Sequence, residues 1–122
     1  MKPVEVYKQI IDQLVERSPS LGARLVTEEG MYSKAPAFRH TNDLVRALTA
    51  EQRAVLAEML THERESAIHD VLAALTWWID CRDVGLTYQG QPMPVQLSGE
   101  GLHGDYVGRR DNWEWPKDEK TA

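Results

Sequence analysis

The chain has 122 residues, a net charge of −5 at neutral pH and a pI near 5.3. This acidity argues against a protein that binds nucleic acid through its phosphates. A hydrophobic fraction of 42% and four Trp indicate a folded chain, and the length suits one domain. No apolar run reaches the roughly 20 residues of a membrane-spanning helix, and the single Cys, Cys81, excludes an intrachain disulfide. We therefore expect a single-domain cytoplasmic protein that binds neither nucleic acid nor membrane.

Apolar residues at helical spacing predict three helices before residue 49. The first covers about residues 3–17, and Ser18-Pro19 ends it and begins a second over 19–29. Gly30 is a natural residue to end that second helix. Residues 31–40 form a connection, and Thr41 or Asn42 can cap a third helix over 42–48.

A long helix over residues 50–83 is the element around which we expect the core to form. Thr49 and Gln52 have the spacing of a capping box, and Gly85 can end the helix. One face carries a continuous apolar stripe. The residues of that stripe are Leu56, Leu60, Ala67, Val71, Ala74, Leu75 and Trp78. We expect this stripe to be buried at the middle of a small helical bundle.

The last third of the chain changes in character. Alternating residues around a Gln89-Gly90-Gln91 turn predict a β-hairpin over about 86–97. Four Gly between residues 99 and 108 argue against a regular helix, so we expect an irregular Gly/Trp-rich wrap over 98–116. The predicted fold class is mainly α: a small helical bundle around one long central helix, with a short β-hairpin and an irregular C-terminal segment.

Four residues are candidates for catalysis. Glu63 lies inside the apolar stripe and Asp70 lies on its edge, so we expect both carboxylates to be partly buried. They suit either a cation site or general-base chemistry, or else an ion pair with Arg109 or Arg110, which we favour. His103 and Asp105 form a possible acid–base dyad in a Gly-rich segment, although local hydrogen bonds to the backbone explain them better.

A metal site is a weaker hypothesis. His62, Glu65 and His69 lie on the polar side of the long helix, together with Thr76, and Glu65 is spaced to chelate with either His. Further ligands would have to come from elsewhere in the chain. A solvated helix face explains the same pattern more simply. We predict no cofactor.

Four more residues are candidates for binding, in a groove between the long helix and the C-terminal wrap. They are Trp78, Tyr106, Arg109 and Trp113. The partner, a protein or a small ligand, is not identified by the sequence. A homodimer is the default expectation if part of the stripe or of the Trp cluster stays exposed.

Four segments resemble a known group: Leu-Thr-x-Glu-Gln-Arg at 48–53, Ala-Ile-His-Asp at 67–70, His-Gly-Asp-Tyr-Val-Gly-Arg at 103–109 and Trp-x-Trp-Pro at 113–116. The pattern is similar to a family of small uncharacterised bacterial proteins of about this length, grouped as a domain of unknown function. The resemblance implies a stand-alone, mainly helical protein and no catalytic residue.

We expect a small acidic, non-enzymatic binding or interaction protein, and an immunity-like or inhibitor-like role fits its size and charge. The alternative is a small metal-dependent or acid–base enzyme in which Glu63, Asp70, His103 and Asp105 face one cavity.

Overall fold

The computed structural model describes residues 1–117. In chain order the elements are α1 (Pro3–Glu16), α2 (Leu21–Glu29), a 3-10 helix (Pro36–Phe38), α3 (Arg39–Ala47), α4 (Ala50–Arg82), β1 (Thr87–Tyr88), β2 (Gln91–Pro92) and α5 (Gly101–Arg110). The predicted mainly α fold, with one long helix and a short hairpin, is confirmed. Within residues 1–117 no helix combines the length and the apolarity needed to cross a membrane. The sequence also predicts a frayed end over residues 117–122, of which 118–122 lie outside the described residues.

The chain divides into two compact units. Unit 1 consists of Met1–Arg17 together with Ala67 and the described residues after it, and unit 2 is Ser18–Ser66. Helix α4 supplies its first part to unit 2 and its second part to unit 1. That the whole chain folds as one domain stays a prediction.

Local hydrogen bonds account for the helix ends. The Thr49 N–H donates to Gln52 Oε1 at 2.9 Å and the Gln52 N–H donates to Thr49 Oγ1 at 3.1 Å, so the predicted capping box is confirmed. Gly30 ends α2 in the left-handed conformation, at a φ of 65°, also as predicted. Helix α2 begins at Leu21 rather than at 19 because Ser20, not Ser18, caps it, through a 3.1 Å bond from the Ala23 N–H.

Helix α3 and the hairpin differ from their predicted bounds. Helix α3 begins at Arg39 rather than 42, since the turn opened by Pro36 leads directly into it. Gln89 and Gly90 both have positive φ, which gives a type I′ turn between the strands. The ladder covers far less than residues 86–97 because Pro92 and Pro94 have no N–H to donate.

Helix α5 corrects the prediction of an irregular wrap over 98–116. Leu102, Asp105, Tyr106 and Arg109 are spaced as one helix face, and the first three are buried. Burial and hydrogen bonding of this face outweigh the poor helix propensity of Gly104 and Gly108. Gly108 also admits a close neighbour, since a Cβ there would lie 3.2 Å from the ring of Trp113.

Each unit has its own buried cluster. In unit 1, α1 packs against α5 around a core of Tyr7, Ile11, Leu72, Leu102 and Tyr106. In unit 2 the buried apolar residues are Ala23, Leu25, Val26 and Val45.

Candidate functional site

Asp105 lies at the centre of a buried hydrogen-bond network in unit 1. Its Oδ1 accepts the Ser98 N–H at 2.8 Å, and its Oδ2 accepts the Leu97 N–H at 2.8 Å and the hydroxyl proton of Tyr7. Burial, followed by the hydrogen bond and the charge of Asp105, raises the pKa of the Tyr7 hydroxyl well above its usual range. The carboxylate is 0% exposed and both oxygens are used. We interpret this candidate catalytic residue as an anchor that joins α1, α5 and the segment before α5.

Arg109 is held by a second network in the same unit. Its guanidinium donates to both carboxylate oxygens of Asp12, at 2.7 and 3.3 Å, and to the Trp113 carbonyl at 2.6 Å. The Trp115 indole N–H also donates to Asp12, at 3.1 Å, and the guanidinium lies 5.2 Å from the ring centroid of Trp115. Arg109 therefore ties α5 to α1 rather than to Glu63 or Asp70. Asp12 is not predictable from its sequence context, where its only signal is its position beside Ile11, which is buried.

The expected burial of Glu63 and Asp70 is wrong. Both residues are exposed, and the Asp70 side chain, 83% exposed, lies 3.4 Å from Nδ1 of His69. Protein atoms do not cover the stripe at Glu63 or its edge at Asp70, so neither carboxylate needs a buried partner. Glu63 belongs to unit 2, and Asp70, His103 and Asp105 belong to unit 1.

Within unit 1, the side chain of His103 packs against His69 rather than pairing with Asp105. The two imidazole rings pack edge to face with centroids 5.0 Å apart, and His103 Nδ1 lies 3.4 Å from Thr76 Oγ1. Thr76, predicted on the polar outer side of α4, is buried, because its hydroxyl donates to the Leu72 carbonyl and accepts the Leu102 N–H. This polar residue holds the start of α5 against α4.

The described part of the chain does not bring the three candidate metal ligands together into one site. Over residues 1–117 no group of three or more His, Cys, Asp or Glu side chains is arranged to hold an ion. His62 is exposed and Glu65 half-buried in unit 2, while His69 lies in unit 1. The expectation that the protein takes no cofactor is not tested by this arrangement.

Packed side chains occupy the position between α4 and the C-terminal segment where the sequence predicts a binding groove. Leu102 and Tyr106 of α5 are buried in the same core as Leu72 of α4. Tyr106 belongs to this core, Arg109 is held by Asp12 and the Trp113 carbonyl, and Trp113 is half-buried against Gly108. Trp78 differs from the other three binding candidates, since it is 50% exposed.

An exposed apolar surface lies on α4 instead. Leu72 and Thr76 are the residues of α4 that unit 1 buries, and the part of the predicted stripe that lies in this unit faces solvent. We call it the apolar face of α4 and define it as Ala67, Val71, Ala74, Leu75 and Trp78. Val71 is 61% exposed and Leu75 39%. A depression of about 230 Å³ adjoins it, lined by Leu14, Ala67, Ile68, Val71 and Leu72. Contiguous apolar surface of this kind typically marks an interaction site.

Comparison with known proteins identifies a family but no activity. Neither a curated protein nor a solved structure matches the chain. A family described as "Family of unknown function (DUF6547)" matches residues 1–117. This match confirms the resemblance to a domain of unknown function and extends it to nearly the whole chain. The chain therefore belongs to the family of unknown function DUF6547.

Proposed function

We propose that this protein is a non-catalytic binding protein that takes up an amphipathic helix of a basic partner protein on the apolar face of α4. The observation that carries the proposal is the exposure of Val71, Leu75 and Trp78 on successive turns of one helix face. A monomer gains nothing from leaving such residues in water, because apolar surface is stabilised by burial.

The spacing suits a helical partner. Residues 71, 75 and 78 follow the i, i+4, i+7 pattern by which two helices pack along a shared groove. The adjoining depression is bordered wholly by apolar residues and can receive one side chain from the partner. Trp78 leaves roughly 100 Å² of a Trp surface to bury. At about 25 cal/mol per Å², that burial contributes roughly 2.5 kcal/mol.

Charge favours a basic partner over a second copy of the chain. The protein carries a net charge of −5, and the exposed Asp70 directly precedes Val71 in α4. A cationic helix flanked by Lys or Arg is attracted to this surface and guided towards it, whereas a second acidic copy is repelled. An immunity-like or inhibitor-like role, in which an acidic protein covers a basic one, agrees with this polarity. The exposed thiol of Cys81 suits the reducing conditions of the cytoplasm, where we place the interaction.

The candidate residues for catalysis lend no support to the enzyme alternative. Asp105 is buried with both oxygens bonded, while Asp70 is solvated beside His69. General acid–base chemistry needs groups that reach a common substrate atom. Within unit 1, one of these carboxylates is fully buried and the other is largely exposed to solvent.

Site-specific photo-crosslinking tests the proposal. A photoreactive amino acid placed at Val71 should capture a protein in the cells that produce the chain, and the captured protein should contain a basic amphipathic helix. The control is the same amino acid at Gln9, an exposed residue of α1, which should give no such adduct. The captured protein is then purified and its affinity measured by calorimetry for the wild type, Val71→Glu and Gln9→Glu.

Val71→Glu should weaken binding by at least about tenfold because the complex would bury an unpaired carboxylate. Gln9→Glu, which adds the same charge elsewhere, should bind as the wild type does. Equal capture from both positions, or an unchanged affinity for Val71→Glu, would refute the proposal. Adducts formed solely with a second copy of the chain would show that the face is a dimer interface instead.

A further inference from the structure

A second surface depression, in unit 2, has the properties of a small-molecule site. It lies between α2 and the connection that leads to α3, with a volume of about 570 Å³. Small-molecule pockets in proteins usually have about 300–1,000 Å³. We call it the Tyr32 depression, after the ring that forms one of its walls. All its lining residues belong to unit 2, whereas the residues of the apolar face of α4 belong to unit 1.

The connection that borders this depression is fixed by one buried side chain. Asn42 of α3 accepts the N–H groups of Tyr32 and Ser33, at 2.8 and 3.2 Å, and donates to the Ser33 carbonyl at 2.6 Å. The Asn42 amide thus uses its oxygen and its nitrogen to hold two successive residues. A wall held in this way needs little ordering when a ligand binds, which lowers the entropic cost of binding.

Two aromatic rings form the apolar wall. Tyr32 and Phe38 pack edge to face with centroids 5.3 Å apart. The Tyr32 ring lies directly on α2 at Gly22, where an added Cβ would come within 2.7 Å of Tyr32 Cε1. Gly22 therefore makes room for the ring. Flat rings arranged edge to face offer a stacking surface to a third flat ring.

The polar lining is predominantly cationic, although the protein is acidic. Arg24, Lys34 and Arg64 line the depression together with one carboxylate, Glu29. Lys34 Nζ lies 3.7 Å from Glu29 Oε1. Arg24 Nε lies 3.7 Å from Oε2 of Glu28, a residue that does not line the depression. Both pairs are largely exposed. Exposed pairs of this kind contribute little, so a ligand anion can compete for these cations.

Two hydroxyl groups add donors for the same anion. Ser20 Oγ accepts the Ala23 N–H and Ser33 Oγ accepts the Ala35 N–H, each at 3.1 Å. Because the oxygen is the acceptor in both bonds, the hydroxyl proton can be donated to a ligand. We propose that the Tyr32 depression binds a small organic anion that carries a flat aromatic ring. The ring stacks on Tyr32 and Phe38, and the anionic group faces Arg24 and Lys34.

Titration of the full-length ¹⁵N-labelled protein with four probes tests this site. Benzoate has both required features, benzamide lacks the charge, acetate lacks the ring, and benzylammonium has the opposite charge. Benzoate should give saturable shifts that are largest at the amides of Tyr32, Ser33 and Lys34. Benzamide and acetate should bind at least about threefold more weakly, and benzylammonium should not saturate.

Two variants locate the site. Lys34→Glu should weaken benzoate binding about threefold or more. Lys8→Glu, an equal change of charge in unit 1, should leave it unchanged. Phe38→Ala, at a partly exposed residue, should reduce the affinity for benzoate towards that for acetate. Failure of benzoate to saturate, binding of benzylammonium as tight as that of benzoate, shifts centred on unit 1, or equal effects of Lys34→Glu and Lys8→Glu would each overturn the proposal.

Discussion

Replacing Asp105 by Asn removes one acceptor from the buried network while keeping the shape of the side chain. The carboxylate accepts the Leu97 and Ser98 N–H groups on different oxygens, and Tyr7 bonds to the same oxygen as Leu97. An amide has only one oxygen, so at least one donor must face an NH₂ group. We expect Asp105→Asn to lower the stability of unit 1 sharply.

The size of the effect follows from the bonds that are lost. A buried donor without an acceptor costs about 1–3 kcal/mol, and the two remaining bonds lose part of the strength that the negative charge gives them, together about 1 kcal/mol. We expect a loss of about 2–4 kcal/mol in the free energy of unfolding. For a chain of this length, that corresponds to a fall in Tm of roughly 8–16 °C.

Urea unfolding followed by circular dichroism measures this loss, with Asp70→Asn as the matched control. Asp70 is 83% exposed, so its replacement should change the free energy of unfolding by no more than about 0.5 kcal/mol. If the two variants unfold at the same urea concentration, the interpretation of Asp105 as a structural anchor is wrong.

Two further predictions concern the same unit. The raised pKa of Tyr7 means that the folded chain keeps the phenol proton above pH 10, where the unfolded chain loses it. The stabilising contribution of the protonated Tyr7 hydroxyl is therefore complete below about pH 10. Above that pH the free energy of unfolding falls by about 1.4 kcal/mol per pH unit. The stabilities of the wild type and Tyr7→Phe, compared by urea unfolding between about pH 8 and pH 11, should converge at the alkaline end, and a constant difference would contradict this. Arg109→Lys should cost about 1–2 kcal/mol, since Lys cannot pair with both oxygens of Asp12 while bonding the Trp113 carbonyl. Arg46→Lys, at an exposed pair with Asp43, should be nearly neutral in the same unfolding assay, and equal losses would argue against the Arg109 network.

Features set by neighbouring residues along the chain were predictable from the sequence. The Thr49–Gln52 capping box, the end of α2 at Gly30 and the long helix α4 depend on contacts within a few residues. The poor helix propensity of Gly argues against helix α5, and it is outweighed by one spacing pattern, that of Leu102, Asp105, Tyr106 and Arg109. That spacing is the pattern of a buried helix face and was visible in the sequence.

The side of α4 that is covered could not be read from its apolar stripe. The stripe shows where apolar residues lie, but burial depends on which other segments pack there, and in unit 1 they pack on Leu72 and Thr76. Glu63 and Asp70 are exposed, so the burial that made them candidates for catalysis does not occur. Trp78 is also exposed and therefore remains a candidate for binding. The partnership of Arg109 with Asp12 joins residues 97 positions apart, a contact that no local pattern encodes.

Comparing Val71→Glu with Leu72→Ala tests most directly whether the apolar face of α4 is free for binding. Val71 is 61% exposed and Leu72 only 6% exposed, although they are neighbours in the chain. In urea unfolding, Val71→Glu should stay within about 0.5 kcal/mol of the wild type, while Leu72→Ala should lose about 2–5 kcal/mol. A loss of more than about 2 kcal/mol for Val71→Glu would place Val71 in the packed interior and contradict its role as a binding surface.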